Sequence, residues 1–176
     1  MTILHQDDIA SLRRLSHPAA SEIARRLTDL FDRPDPIDVP FAGAKVTVDR
    51  QLLHRTSRGE LVQSKSELAI AEKLIAMGVN YTYEQPIVLD GLMRWPDFTI
   101  QDDATGVTYY WEHLGMLANP KYAARWARKR AAYLKEGVRP VAEAGSADRI
   151  LIETSEAPGV GLDMLEVERL ARVIIS

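Results

Sequence analysis

The sequence of 176 residues contains no cysteine, which excludes disulfides, thiolate zinc sites and a cysteine nucleophile. A bound metal ion would therefore need oxygen or imidazole ligands. The sequence also lacks a run of 18 apolar residues and an N-terminal signal segment, which predicts a soluble, cytoplasmic protein without a membrane partner. The signature motifs of phosphate loops, dinucleotide-binding folds, zinc proteases and serine hydrolases are absent too, so those four activities lack support.

Positive charge is concentrated in one segment. The formal net charge is -3, yet residues 119–135 hold six Lys or Arg residues and no Asp or Glu. A local row of cations can bind a polyanion even when the whole chain is acidic. An ordinary solvated helix face is the competing interpretation, and the aromatic residues of this segment are expected to pack in the core.

Hydrophobic periodicity predicts a small helical extension followed by one α/β domain. Residues 1–40 are predicted to form two helices and a proline-rich linker, and residues 41–176 a central mixed β-sheet flanked by helices. The predicted strands are 45–48, 81–83, 86–89, 92–100, 107–114 and 150–152. The predicted helices of the main domain are 64–78, 121–135 and 162–174.

Three carboxylates occur where these elements begin or end. Glu67 lies in S-K-S-E, Asp97 in W-P-D-F and Glu112 in Y-Y-W-E-H-L-G. Because a turn at 103–106 joins the strands of Asp97 and Glu112, pairing of these strands would bring the two acids together. Facing carboxylates repel each other unless a cation joins them, so we expect a Mg²⁺ or Mn²⁺ site, which Glu67 could reach through water.

Pro96-Asp97, followed by a hydrophobic strand that ends in Glu112, resembles the signature of the PD-(D/E)XK nuclease superfamily. The resemblance covers residues 64–133, and it implies a restriction-endonuclease-like core. It also implies that Asp97 and Glu112 are direct metal ligands and that Glu67 is the acid of the preceding helix. The backbone carbonyl of His113 is well placed for the same metal, while the His113 ring is expected to be packed or hydrogen-bonded.

The chain departs from this signature at Leu114, where the superfamily has a lysine two residues after the strand acid. Relocation of that lysine to the following helix is known in the superfamily. Lys121, Arg125 and Lys129 follow at four-residue spacing, hence on one helix face. Lys129 is the preferred replacement, and Arg125 is expected to contact the scissile phosphate or its neighbour.

Together these features predict metal-dependent hydrolysis of a phosphodiester, with DNA favoured over RNA and a homodimer or larger complex as an open possibility. Glu67, Asp97, Glu112 and Lys129 are the predicted catalytic residues. The predicted nucleic-acid contacts are Lys121, Arg125, Arg128, Arg55 and Arg58. The alternative is a nuclease-derived fold that has lost turnover and serves as a nucleic-acid- or protein-binding module, as Leu114 would allow. Glu67 could equally be a carboxylate favoured at a helix N-terminus.

Overall fold

The computed structural model describes residues 54–157 and 159–175, together with the backbone of one short strand at Val39–Pro40. The predicted N-terminal helices, most of the proline-rich linker and the predicted strand 45–48 lie outside the described residues. The domain boundary near residue 40 therefore stays a prediction. In the part of the chain that the structure describes, no helix has the length and apolar character needed to cross a lipid bilayer.

The described elements form an α/β fold. In chain order the strands are β1 (Val39–Pro40), β2 (His54–Arg55), β3 (Leu61–Val62), β4 (Thr82–Tyr83), β5 (Ile87–Leu89), β6 (Leu92–Arg94), β7 (Phe98–Gln101), β8 (Thr108–Leu114), β9 (Arg139–Pro140), β10 (Arg149–Ala157) and β11 (Gly161–Leu162). The helices are α1 (Lys65–Ala76), α2 (Pro120–Lys135) and α3 (Met164–Ile174).

The central sheet is mixed and has six strands. Its order is β11-β10-β8-β7-β4, and β9 pairs with the other end of β10. Strand β10 runs parallel to β8, whereas β7 is antiparallel to both β8 and β4. The carboxyl ends of β8 and β10 therefore meet the amino end of β7 at one edge of the sheet.

Each helix begins at a polar side chain that caps its first turn. The side chains of Ser64, Asn119 and Asp163 accept hydrogen bonds from backbone N–H groups of α1, α2 and α3. Helices α1 and α2 end before Gly78 and Gly137, whose φ angles of 74° and 82° suit glycine after a helix end. The predicted helices around 64–78 and 121–135 are thereby confirmed.

Apolar side chains cover both faces of the sheet. One face packs Phe98 and Trp111 against α1 and α3, which contribute residues such as Leu74 and Leu170. The opposite face packs Tyr110 and Leu151 against α2 and the β5–β6 hairpin. Burial on both faces fixes which side chains of β8 point to which helix, because neighbours along a strand alternate between faces.

Two strand predictions need correction. The predicted strand 92–100 is two strands in different sheets, β6 and β7, because Pro96 cannot donate a ladder hydrogen bond at the point of the break. The predicted strand 150–152 is the nine-residue β10, since pairing with β8 continues beyond its apolar start. The Asp90-Gly91 hairpin is confirmed: both residues have positive φ, 51° and 73°, as a type I′ turn requires.

Candidate active site

Acidic residues of neighbouring chain segments lie close together at one end of the central sheet. The strand pairings end with Tyr83 opposite Phe98 and Phe98 opposite Trp111, one residue short of Asp97. Asp97 Oδ2 accepts from the backbone N–H of His113, the residue that follows Glu112. The parallel pairing of β8 with β10 then places Glu153 beside Glu112. We call Asp97, Glu112 and Glu153 the acid row. Neighbouring carboxylates need a positive charge to offset their mutual repulsion.

Glu112 is the buried member of the acid row. It is 4% exposed, and its carboxylate lies on the sheet face that α2 covers. The ammonium Nζ of Lys129 lies 2.7 Å from Oε1 and 2.8 Å from Oε2 of Glu112. The hydroxyl of Tyr133 donates to Oε1 at 2.6 Å. Two residues of α2, four positions apart and hence on one face, therefore hold this carboxylate.

Lys129 of α2 contacts Glu112, whereas the strand position two residues after Glu112 is a leucine. Its ammonium also donates to the backbone carbonyl of Trp95 at 3.0 Å, and its side chain is 13% exposed. Leu114, two residues after Glu112, is 5% exposed and contributes no charge. The structure thus brings the helix lysine singled out from the sequence next to the strand acid.

Asp97 directly precedes β7 and is held by a backbone hydrogen bond. The backbone N–H of His113 donates to its Oδ2 at 2.6 Å. Burial raises the pKa of the Asp97 carboxyl well above its ordinary value, and the negative charges of Glu112 and Glu67 raise it further. The charge of Lys129 and the hydrogen bond from His113 act in the opposite direction. Asp97, Glu112, Glu67 and Lys129 are therefore close enough to influence one another electrostatically.

Glu67 is engaged at the N-terminus of α1. Its Oε1 accepts from the Ser64 hydroxyl at 2.9 Å, while its Oε2 accepts from the Gln63 backbone N–H at 3.0 Å and from the Tyr83 hydroxyl at 2.5 Å. The Glu67 N–H donates to the Ser64 side chain in turn, so the arrangement resembles a capping box in which the N–H of Gln63 replaces that of Ser64. Burial and the Glu67 charge raise the pKa of Tyr83, which keeps that hydroxyl a donor. Glu67 combines a capping role with a charge near Asp97.

The two polar groups of His113 lie on different sides of the strand. Its carbonyl, predicted to face a metal, lies 3.4 Å from the hydroxyl of Tyr122 in the first turn of α2. Its ring lies on the α1 side, where Nδ1 is 3.2 Å from the Thr154 hydroxyl and Nε2 is 3.2 Å from Glu156. Burial lowers the pKa of His113, although Glu156 opposes that shift. The ring is packed and hydrogen-bonded, as expected from the sequence.

The predicted nucleic-acid contacts form two separate groups. On α2, Lys121 and Arg128 are exposed, and the guanidinium of Arg125 lies over the ring of Tyr122, 5.2 Å from its centroid. Arg55 and Arg58 belong to the β2–β3 hairpin, which the bond from the Ser57 N–H to Glu72 ties to α1. Because α1 and α2 cover opposite faces of the sheet, the two arginines of the hairpin do not extend the cation row of α2.

No group of three or more His, Cys, Asp or Glu residues arranged to hold a metal ion occurs within residues 54–157 and 159–175. The carboxylate pair of Asp97 and Glu112 nevertheless suits an ion such as Mg²⁺, which takes one or two carboxylates and fills its remaining positions with water or substrate oxygens. Burial and then the negative charges of Glu112 and Glu67 raise the pKa of Asp97, so a cation bound between the carboxylates would favour its ionised form.

Sequence reasoning missed two features of the site. Tyr133 was interpreted as a core aromatic; it is fully buried, but its hydroxyl is also bonded to Glu112. Its spacing of four residues from Lys129 was the available signal. Glu153 is paired with Arg130 at 3.0 Å, and nothing in the local sequence marked it.

Comparison with known proteins does not place this chain in a family. No protein-family model matches the chain, and no curated protein or solved structure is significantly similar to it.

Proposed function

We propose that this chain is a metal-dependent nuclease that hydrolyses phosphodiester bonds of nucleic acid, DNA in preference to RNA, on a restriction-endonuclease-like core. The observation that carries the proposal is the meeting of three charged groups. Asp97 directly precedes β7 and accepts from the backbone N–H of His113, next to Glu112 of β8, and Lys129 of the following helix contacts Glu112 at 2.7 Å. This arrangement resembles a PD-(D/E)XK site in which a helix lysine replaces the strand lysine.

Mg²⁺ or Mn²⁺ is the cofactor that this donor set favours. Asp97 and Glu112 would be direct ligands, the carbonyl of His113 a further ligand, and Glu67 a contact through water. Hard divalent ions prefer such oxygen donors, and thiolate is excluded by composition. When bound, the ion supplies Lewis-acid activation of water and of the phosphodiester.

The protein groups around the metal ligands have separate tasks in this proposal. Lys129 keeps a positive charge beside Glu112, where it would orient the attacking water or stabilise the negative charge that develops on the phosphate. Tyr133 bonds only to Oε1 of Glu112, so it fixes the carboxylate plane from one side. With burial raising its pKa, the Tyr133 hydroxyl stays protonated and acts as a donor at neutral pH.

Substrate binding is assigned to the cations of α2. Lys121, Arg125 and Arg128 would neutralise backbone phosphates near the acid row, and binding should weaken as salt concentration rises. Arg55 and Arg58, beside α1, would contact a more distant part of a long substrate. The acidic surplus of the rest of the chain makes this localised pattern necessary for a polyanionic ligand.

Cleavage of supercoiled plasmid tests the proposal, with Mg²⁺, with Mn²⁺ and with EDTA. Wild type should cleave only with metal, and Asp97→Asn and Lys129→Met should each lower the rate by about 100-fold or more. Lys135→Met is the matched control, because this exposed lysine lies at the far end of the same helix. Metal-dependent cleavage that survives Asp97→Asn would refute the site.

A binding module without turnover is the second candidate. Two observations favour it: Leu114 occupies the position of the motif lysine, and the ammonium of Lys129 is already engaged by Glu112 and Trp95. Retained binding of nucleic acid, with no cleavage in any metal, would select this candidate over the nuclease.

A further inference from the structure

An exposed apolar turn lies beside the candidate active site. Met116 is 47% exposed and Leu117 is 39% exposed, and both belong to the connection between β8 and α2. The connection starts three residues after Glu112. Tyr122, in the first turn of α2, contacts the His113 carbonyl at 3.4 Å and so ties this end of the helix to the strand end. The apolar turn therefore adjoins the acid row.

Hydrogen bonds order this turn before any ligand binds. The Asn119 N–H donates to the Met116 carbonyl at 2.8 Å, and the Asn119 side chain accepts from the N–H of Lys121 at 2.9 Å. Two large apolar side chains are thus presented to solvent on a closed turn. Exposing apolar surface to water is unfavourable, so a ligand that covers these side chains gains free energy. Because the turn is already ordered, less conformational entropy is lost when the ligand binds.

The charges next to the turn indicate what covers it. Lys121, Arg125 and Arg128 follow on α2, which has no acidic residue in its first turn. A ligand that contacts both surfaces must combine negative charge with apolar, stackable faces. Nucleic acid does so where bases are unstacked, and proteins commonly insert Met or Leu at such base steps.

We infer that Met116 and Leu117 form a wedge against unstacked bases, so that the preferred substrate has an unpaired or distorted segment beside the cleaved phosphodiester. This inference rests on the proposed function for its substrate. The cations of α2 bind the phosphate backbone of the nucleic acid. The wedge makes the protein prefer a junction between single and double strands over uniform duplex. In intact duplex the bases must first be unstacked, and this cost makes the wedge less favourable there.

Binding in EDTA tests the wedge independently of catalysis. Fluorescence anisotropy compares a 5′-flap junction with a fully paired duplex of the same sequence, with 2-aminopurine at the junction reporting unstacking. The test variant is Met116→Ser/Leu117→Ser. The control is Val88→Ser, because Val88 is also 47% exposed but lies on the β5–β6 hairpin, which Lys135 ties to the other end of α2.

Wild type and Val88→Ser should bind the junction more tightly than the duplex and increase 2-aminopurine fluorescence. The double variant should lose about tenfold in affinity for the junction, lose less than about twofold for the duplex, and leave the fluorescence unchanged. Equal losses on both substrates, or the same loss in Val88→Ser, would overturn the inference. So would a dimer that the double variant dissociates in sedimentation, since a second copy would then cover the turn.

Failure of the wedge and failure of the proposed function give different results. Junction-selective binding that depends on Met116 and Leu117, without cleavage in any metal, would support the wedge and refute the proposed nuclease activity. Metal-dependent cleavage with an unchanged junction-to-duplex ratio in the double variant would keep the nuclease and overturn the wedge. Absence of nucleic-acid binding in wild type would overturn both.

Discussion

Removing the ammonium of Lys129 should destabilise the fold through a buried carboxylate. Lys129 Nζ lies 2.7 and 2.8 Å from the two oxygens of Glu112, and the side chains are 13% and 5% exposed. At an effective dielectric constant of about 20, a pair of unit charges at this distance attracts by about 6 kcal/mol. Desolvation of both groups offsets part of that, and loss of one partner of a buried pair typically costs about 3–5 kcal/mol. We therefore expect Lys129→Met to lower the free energy of unfolding by about 3–5 kcal/mol.

Urea denaturation at pH 7 in EDTA measures this loss without metal. The double variant Glu112→Gln/Lys129→Met should be more stable than Lys129→Met alone, because it no longer buries an unpaired charge. Lys135→Met is the control, because the ion pair of Lys135 with Asp90 is exposed. Its free energy of unfolding should equal that of wild type within the error of the measurement. A Lys129→Met variant as stable as this control, or strictly additive effects in the double variant, would refute the reasoning.

Three further predictions concern hydrogen bonds and charge in the same region. Tyr133→Phe should lower the free energy of unfolding by about 2 kcal/mol, since the Glu112 carboxylate loses a buried donor; an unchanged urea midpoint would contradict this. Asp97→Asn should be more stable than wild type at neutral pH. The raised pKa of Asp97 means that the folded state disfavours its ionised form. The gain in free energy of unfolding should therefore grow as pH rises and vanish in acid. A variant that is more stable only in acid would contradict this prediction. Glu156→Gln should cost about 1 kcal/mol at pH 7. The Ser66 hydrogen bond and the His113 contact lower the pKa of Glu156, so this stabilisation is present above the unfolded pKa and is lost as pH falls through the folded one. Stability curves that stay equally far apart from pH 7 to acid would exclude that linkage.

Local patterns in the sequence were sufficient for the elements that build the site. Helices α1 and α2 carry both an N-cap residue and a terminating glycine, and the Asp90-Gly91 pair fixes a hairpin, so each is determined within a few residues of chain. The adjacency of β7 and β8 followed from the short turn between them. These features depend on short-range sterics and hydrogen bonds, which a single sequence displays.

Features that depend on distant pairing were not predictable. Glu153 lies beside Glu112 because β10 pairs in parallel with β8. Parallel strands are joined by long connections, so no short turn in the sequence indicates which residues pair. The break between β6 and β7 required knowing that the strands on either side of Pro96 join different sheets. The spacing of Tyr133 from Lys129 indicates a shared helix face, but its bond to Glu112 depends on where α2 packs on the sheet.

Binding of Mn²⁺ in the crystal tests the central claim most directly. Crystals of the full chain soaked in Mn²⁺ should show an anomalous peak between the carboxylates of Asp97 and Glu112, next to the Lys129 ammonium, and Asp97→Asn crystals should lack it. Absence of a peak there in wild type, or a peak only at other acidic residues, would contradict the assignment of these two strand acids as the metal site.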